Sequence, residues 1–258
     1  GKAADGALGT YCELVASDLT AAGSSSLVVS GSNDKNIQLI VNAINNKLGS
    51  YSETIDVSKK VELGRNDDAA IKQLSDDLAA GSIDAVIFYD TNPVYSMSNG
   101  ADWEKAIRNC QLSVSLSQYE DETASACQYV CPDNNYLESW NDYSPKTGHY
   151  SIVQPVIRPL YDTRQAQESI LVWAGEATRS ATKDSTVCYD FLRSTWEEHG
   201  FSRQTEYTAF SDYWNWAVHN GSMEAQGMPS ADALVFSGDV GAAVAAVANM
   251  EMSPVELI

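Results

Sequence analysis

Apolar residues recur at helical spacing from Leu8 to Ala22, with Leu14, Val15 and Leu19 on one side and Gly23 ending the run. A short β-rich run follows, Ser26-Leu27-Val28-Val29-Ser30, closed by Gly31. Asn33 or Asp34 can cap a second helix, in which Ile37, Ile40, Val41, Ile44 and Leu48 keep the helical spacing until Gly49. Glu53 to Val57 reads as a second strand. Asn66 or Asp67 caps a helix containing Ile71, Leu74 and Leu78, which Gly81 stops. Ile83-Asp84-Ala85-Val86-Ile87-Phe88-Tyr89 is the clearest strand in the chain. Ala101–Asn109 reads as a short helix, Cys110–Leu116 as a fourth strand, Asp121–Ser125 as a helical turn and Cys127–Cys131 as a short fifth strand.

Strands that alternate with helices and are nearly continuous in apolar residues predict a parallel sheet covered on both faces. The expected fold class is α/β: a doubly wound, mostly parallel sheet with helices on both faces over residues 1–132, plus a helical C-terminal extension. Residues 133–162 lose the periodicity and read as an aromatic connecting loop, with Tyr136, Trp140, Tyr143, His149 and Tyr150 among Pro145, Pro155 and Pro159. That aromatic content predicts an ordered segment packed on a surface. Residues 163–258 read as a helical extension returning to the α/β domain, with helices near 163–177, 184–199, 211–220 and 241–248.

The 258 residues are 44% hydrophobic and 20% charged, enough for a substantial core. Sixteen Lys and Arg against 35 Asp and Glu give a formal charge of −19, which repels phosphate backbones and anionic lipid surfaces. No nucleic-acid partner and no direct membrane insertion are expected, since no apolar run reaches the roughly 18–20 residues a spanning helix needs. The chain opens Gly1-Lys2-Ala3, without an initiator Met or a signal-peptide pattern, and closes on apolar Val255-Glu256-Leu257-Ile258. These ends read as a protease scar and an unfinished strand, so a piece of a longer protein is expected, truncated at its C-terminus.

The five cysteines, Cys12, Cys110, Cys127, Cys131 and Cys188, are odd in number and irregularly spaced, unlike a secreted disulfide framework. Cys127 and Cys131 form a Cys-x3-Cys pair, but a metal site normally needs four protein ligands and no further ligand spacing accompanies them. Free thiols and no metal site are expected.

Ligands of doubly wound sheets bind beyond the carboxyl ends of the strands, here Gly31-Ser32-Asn33-Asp34 and Asp90-Thr91-Asn92-Pro93. The first of these could hold a phosphate on backbone N–H groups, or it is a plain strand-to-helix turn. It matches neither of the glycine-rich nucleotide fingerprints. Glu120, Asp121 and Glu122 resemble an acid/base cluster, although acids at a helix start ordinarily cap it and complement its dipole. Glu138 and Asp142 flank Trp140 as a conceivable carboxylate pair. No nucleophile elbow exists, and none of His149, His199 and His219 sits in a recognisable catalytic setting. The residues by themselves describe an acidic α/β domain with a ligand-competent edge and no visible catalytic set.

A resemblance adds to this. Glu122-Thr123-Ala124, Val130-Cys131-Pro132-Asp133 and Tyr136-Leu137-Glu138-Ser139-Trp140-Asn141-Asp142 resemble the molybdopterin oxidoreductase-like iron–sulfur subunits of alternative complex III, a quinol-oxidising membrane complex. The likeness continues through Gln154-Pro155, Arg158-Pro159-Leu160 and Asp162-Thr163-Arg164-Gln165. It also takes in Leu27–Gly31, Asn92-Pro93-Val94-Tyr95 and the stretch from Phe210 through Trp214 to Gly221.

The resemblance implies a non-catalytic scaffold domain of a membrane quinol:electron-acceptor oxidoreductase. Its partners would be other subunits of the respiratory complex, and its place the periplasmic face of the inner membrane. Iron–sulfur clusters are expected elsewhere in the parent and no cofactor in this piece. Gly31, Ser32, Asn33 and Asn92 would mark the cofactor site, kept in vestigial form. The wider superfamily carries Gly-x-Asn-Pro near its molybdopterin guanine dinucleotide. Asp90 replaces that Gly here, adding charge and removing backbone access, so the dinucleotide is disfavoured. Two rival readings are a cofactor-bearing molybdenum oxidoreductase, which Asp90 opposes, and a free-standing nucleotide- or sugar-binding module, which the missing fingerprints oppose.

Overall fold

The computed structural model describes residues 6–64, 67–180, 185–226 and 235–250. The chain divides into two compact units, one formed by Gly1–Lys60 with Pro229–Ile258 and the other by Val61–Met228.

In the first unit, α1 (Ala7–Ala22) precedes α2 (Lys35–Leu48), and α2 packs against the C-terminal helix Val240–Ala248. Asp34 caps α2 as its spacing predicts, its Oδ1 accepting the N–H groups of Asn36 and Ile37 at 2.8 and 2.9 Å. Gly49 ends the helix in the left-handed region, at φ 80°. The two strands expected here do not form among the described residues. At the centre of Ser26–Ser30, the buried Asn45 of α2 takes the place of a strand neighbour. Its Oδ1 accepts from Val28 N at 2.9 Å and its Nδ2 donates to the Val28 carbonyl at 2.8 Å. Glu53–Val57 begins as a turn, because the N–H groups of Thr54 and Ile55 both donate to the Ser50 carbonyl at 2.9 Å.

In the second unit, α3 (Asp68–Ala79), capped by the Asp67 carboxylate, leads into β1 (Ala85–Phe88). Then come α4 (Pro93–Ser96), α5 (Gly100–Asn109), β2 (Leu112–Ser115), α6 (Glu122–Ala126) and β3 (Tyr129–Val130). The three strands are parallel in the order β1-β2-β3, with Phe88 opposite Ser115 and Ser115 opposite Val130. Leu78, Phe88, Trp103, Ile107 and Cys110 fill the core beside this sheet, with Phe88 edge-on to Trp103 at 6.5 Å.

The aromatic segment holds regular structure that its pattern hides. β4 (Asn141–Lys146) and β5 (His149–Val153) form a hairpin, turned at Gly148 with φ 81°. A register shift between Tyr143 and Lys146 accommodates Pro145, which cannot donate to a ladder. Further along, α7 (Ala166–Trp173) starts later than its pattern suggests. Asp133 Oδ1 accepts the Ala166 N–H at 2.7 Å and fixes the first turn there. The next expected helix begins at Asp184, which lies outside the described residues. What is seen is α8 (Val187–Thr195), continued by a π-helical turn, Trp196–Gly200. α9 (Phe210–Asn220) and β6 (Ser222–Glu224) follow, and β6 completes an antiparallel sheet in the order β4-β5-β6.

A second core lies over that sheet: Ile152, Leu192, Trp196, Phe210, Tyr213, Trp214, Ala217 and Met223. The described residues therefore form a mixed α/β fold, with one small parallel sheet and one antiparallel sheet, and not the single five-stranded sheet expected. No helix among them is long and apolar enough to cross a membrane.

Candidate functional site

The carboxyl ends of β1 and β2 open onto a cavity of about 520 Å³ in the second unit. Its wall comes from the loop after β1 (Tyr89, Asp90, Asn92), the loop after β2 (Ser117, Gln118, Asp121) and the segment that holds Asp133 and Tyr136. Position and origin match the site that parallel α/β sheets present to ligands. Its electrostatics are one-sided: Asp90, Asp121 and Asp133 line it, and no Lys, Arg or His does. Burial pushes the Asp133 carboxyl above the usual carboxylate range, and the Asp90 charge adds to this against the N–H groups of Ala166 and Asn134 that it accepts. Burial likewise raises the Tyr89 phenol, whose Oη accepts from Gln167 Nε2 at 2.9 Å.

Asp90 has φ 49°, the only left-handed non-glycine residue among those described. This conformation ordinarily favours Gly and costs other residues roughly 1–2 kcal/mol. Two positions on, Asn92 is spent on structure. Its Oδ1 accepts from Thr123 N and Thr123 Oγ1 at 3.2 and 2.7 Å, and its Nδ2 donates to Glu122 Oε2 at 2.7 Å. That bond holds the Glu122 carboxyl below its usual range. Thr123 is fully buried, and its Oγ1 accepts from Val94 N at 3.1 Å. Asn92 thus ties the β1 loop to α6. Asn92→Ala should destabilise the chain by about 2 kcal/mol, because it strips partners from buried donors; urea unfolding would measure it. An unchanged midpoint would leave the side chain free for another role.

The other sequence candidates are distributed as follows. Gly31, Ser32 and Asn33 lie in the first unit. Ser32 N donates to Ser30 Oγ, Asp34 N donates to Ser32 Oγ, and Gln38 Nε2 donates to the Ser30 and Ser32 carbonyls, so the turn is closed by its own neighbours. Among the acids, Asp121 caps α6 through Ala124 N at 2.8 Å and accepts from Ser117 Oγ. Glu138 closes a capping box with Asn135 and accepts the Leu160 N–H. Asp142 accepts from Trp196 Nε1 at 2.8 Å. The Glu138 and Asp142 carboxylates therefore both serve local structure.

Among the described residues no three His, Cys, Asp or Glu side chains are placed to hold a metal ion. Burial pushes the Cys127 thiol up to about 11 and Cys188 up to about 12.

One arrangement escaped the sequence. His149 Nδ1 lies 2.7 Å from Glu224 Oε1, and Ser151 Oγ lies 3.3 Å from His149 Nε2. His149 and Ser151 share a face of β5, and Glu224 is the cross-strand partner of His149 on β6. Alternation along β5 would have signalled the His149–Ser151 contact, had the strand been visible in the sequence. Lys146 also reaches Glu224, at 3.3 Å. The backbone around Ser151 is committed to the ladders with Tyr143 and Ser222, and Glu224 is largely exposed, so the group acts as a cross-strand clamp.

Comparison with known proteins adds a relationship. No family model matches the chain. A curated protein of Nitratidesulfovibrio vulgaris (strain Hildenborough), the molybdopterin-binding-like subunit of a menaquinone reductase, is 29% identical over 133 residues. The match covers 49% of this chain and 19% of that protein, so the chain spans only a fraction of its relative's length. The chain is thus a distant relative of a molybdopterin-binding-like subunit of a menaquinone reductase.

Proposed function

We propose that this chain is a scaffold portion of a molybdopterin oxidoreductase-like subunit in a membrane quinone oxidoreductase, of the alternative complex III kind, and that it performs no chemistry itself. The observation that carries this reading is the acidic, cation-free cavity at the strand ends, taken together with the menaquinone reductase relationship. A pyrophosphate-bearing cofactor needs positive charge, and this wall offers three carboxylates and, beside them, only neutral donors such as Ser117 and Gln118. A carboxylate and a phosphate charge about 5 Å apart repel by roughly 3 kcal/mol at an effective dielectric near 20. The residues present therefore do not suit a molybdopterin guanine dinucleotide.

The domain would instead hold redox-active neighbours in position, with iron–sulfur clusters in another part of the longer subunit. The assembly would face the periplasm and pass electrons between quinone and its acceptor. Within that subunit the three-stranded parallel sheet would be the nucleus of a doubly wound domain. Elemental analysis of the full-length protein from its native membrane tests this. Iron without molybdenum or tungsten is expected; either heavy metal near one atom per chain would overturn the reading.

A further inference from the structure

A second cavity of the same unit, about 490 Å³, sets Arg158, Arg164 and Arg179 against Glu138, Asp162 and Glu168, so the charge of its wall is balanced. The strand-end cavity has no such balance: no basic side chain on its wall offsets Asp90, Asp121 and Asp133. Asp121 spends both oxygens on Ala124 N and Ser117 Oγ. Asp133 spends only Oδ1, on the N–H groups of Asn134 and Ala166, and its Oδ2 accepts nothing among the described residues. Asp90 accepts no hydrogen bond and forms no ion pair among them. Two carboxylates are therefore left to meet a ligand.

Much of the remaining wall is aromatic. Tyr89, Tyr119, Tyr136 and Tyr143 all line the cavity, and they are 44%, 77%, 65% and 56% exposed. None of the four rings stacks on another ring among the described residues, so their faces stay open, and an aromatic face attracts a cation. A buried acceptor points to the same ligand. Gln165, 6% exposed, stands where the two cavities meet. Its Nε2 donates to the Trp140 carbonyl at 2.7 Å and to Gln167 Oε1 at 3.0 Å, while no donor among the described residues reaches its Oε1 from either side. Buried carbonyl oxygens are ordinarily satisfied, so this one calls for an incoming N–H group. Free carboxylates, open aromatic faces and an unmet acceptor share one complement, an alkylammonium group. A metal ion suits the wall less well, since no three His, Cys, Asp or Glu side chains among the described residues converge on one point. A quaternary ammonium brings no N–H. Asp90 and Asp133 reach the cavity from separate segments, so a ligand with several charged nitrogens along a chain can meet both.

We propose that the strand-end cavity binds a linear polyamine, whose ammonium groups pair with Asp90 and Asp133 and whose methylene chain lies against the tyrosine rings. This rests on the reading of the cavity as one without a pyrophosphate cofactor, and it names the class of ligand that the same wall would take instead.

The test titrates spermidine into the full-length protein, purified from its native membrane, by isothermal calorimetry. Physiological ionic strength screens the general attraction of a polycation to a chain of formal charge −19. Saturable binding of one spermidine per chain is expected. Asp90→Asn should weaken it at least tenfold, because it removes a charge while asparagine tolerates the left-handed backbone of that position. Tyr119→Leu/Tyr143→Leu should weaken it about fivefold, the loss of two exposed cation–π contacts. Asp102→Asn, which removes an exposed charge from α5, should change it less than twofold. Heats that never saturate, or equal losses in the Asp90→Asn and Asp102→Asn variants, would reveal an ion atmosphere only and overturn the proposal. So would an affinity indifferent to the tyrosine variant, displacement of spermidine by an equal concentration of magnesium, or equally tight binding of tetramethylammonium. Each of these leaves the scaffold reading in place. Molybdenum or tungsten near one atom per chain in the same preparation overturns that reading and this one together.

Discussion

Trp196→Ala should lower stability by about 3–5 kcal/mol, the range for deleting a large aromatic side chain from a packed core. Trp196 is nearly fully buried on the π-helical turn after α8, stacked on Tyr213 at 6.2 Å and edge-on to Trp214 and Tyr150 at 6.0 and 6.5 Å. The substitution would open a cavity at the junction of α8, α9 and the antiparallel sheet. It would also remove the Nε1 donor from Asp142 on β4. Trp196→Phe separates these effects. It keeps most of the packing and loses the hydrogen bond, so a cost of about 1–2 kcal/mol is expected. Near-UV circular dichroism during thermal unfolding reads the aromatic cluster directly. A loss under 1 kcal/mol for the Ala variant would mean that the cluster is not the organising core of this half of the unit.

Gly100→Ala is the second large effect, and its sign is the informative part. Alanine is favoured over glycine inside a helix by about 1 kcal/mol, so propensity alone predicts a gain. At this position a Cβ would lie 2.0 Å from the Val94 carbonyl oxygen and 3.0 Å from its carbonyl carbon. Both are backbone atoms, so no side-chain rotation relieves the clash. α4 would have to move away from α5, and Val94 is also the residue whose N–H is held by Thr123. A net loss of about 3 kcal/mol is expected, at the upper end for overpacking. The urea midpoint measures it, with the exposed Ala101→Ser as a control for the helix start. A stabilised Gly100→Ala would show that the Asn92–Ser96 turn is not pressed against α5.

Much of the fold was legible. Asp34, Asp67 and Asp121 each announce the helix they cap, and the apolar run at Ala85–Phe88 is a strand at the expected place. The failures have physical causes. A β-rich run predicts a strand only if another strand takes its hydrogen bonds, and at Val28 a helix side chain takes them, which no local pattern encodes. The β4–β5 hairpin was hidden because Pro145 and the polar Asn141-Asp142 pair break the alternation that marks a strand. The location of the strand-end cavity followed from the order of elements, whereas its charge did not. Asp121 and Asp133 reach it from separate loops, and no local pattern announces that Asn92 bonds to Thr123 on α6. The arginine cavity was the least legible feature, since its three guanidinium groups come from residues spread between 158 and 179 that share no periodic element.

The amide of Asn45 carries a further consequence. It reads both backbone polar groups of one residue, so its two terminal atoms cannot be exchanged or made alike. An aspartate at position 45 would keep the shape to within one atom and still set an acceptor against the Val28 carbonyl, turning one of the two bonds into a repulsion. Leucine would match the outline and strand both Val28 groups, and glutamine would overshoot by a methylene. Position 45 therefore has no conservative neighbour among the natural amino acids, and slow chemical loss of its amide nitrogen would have the effect of a mutation.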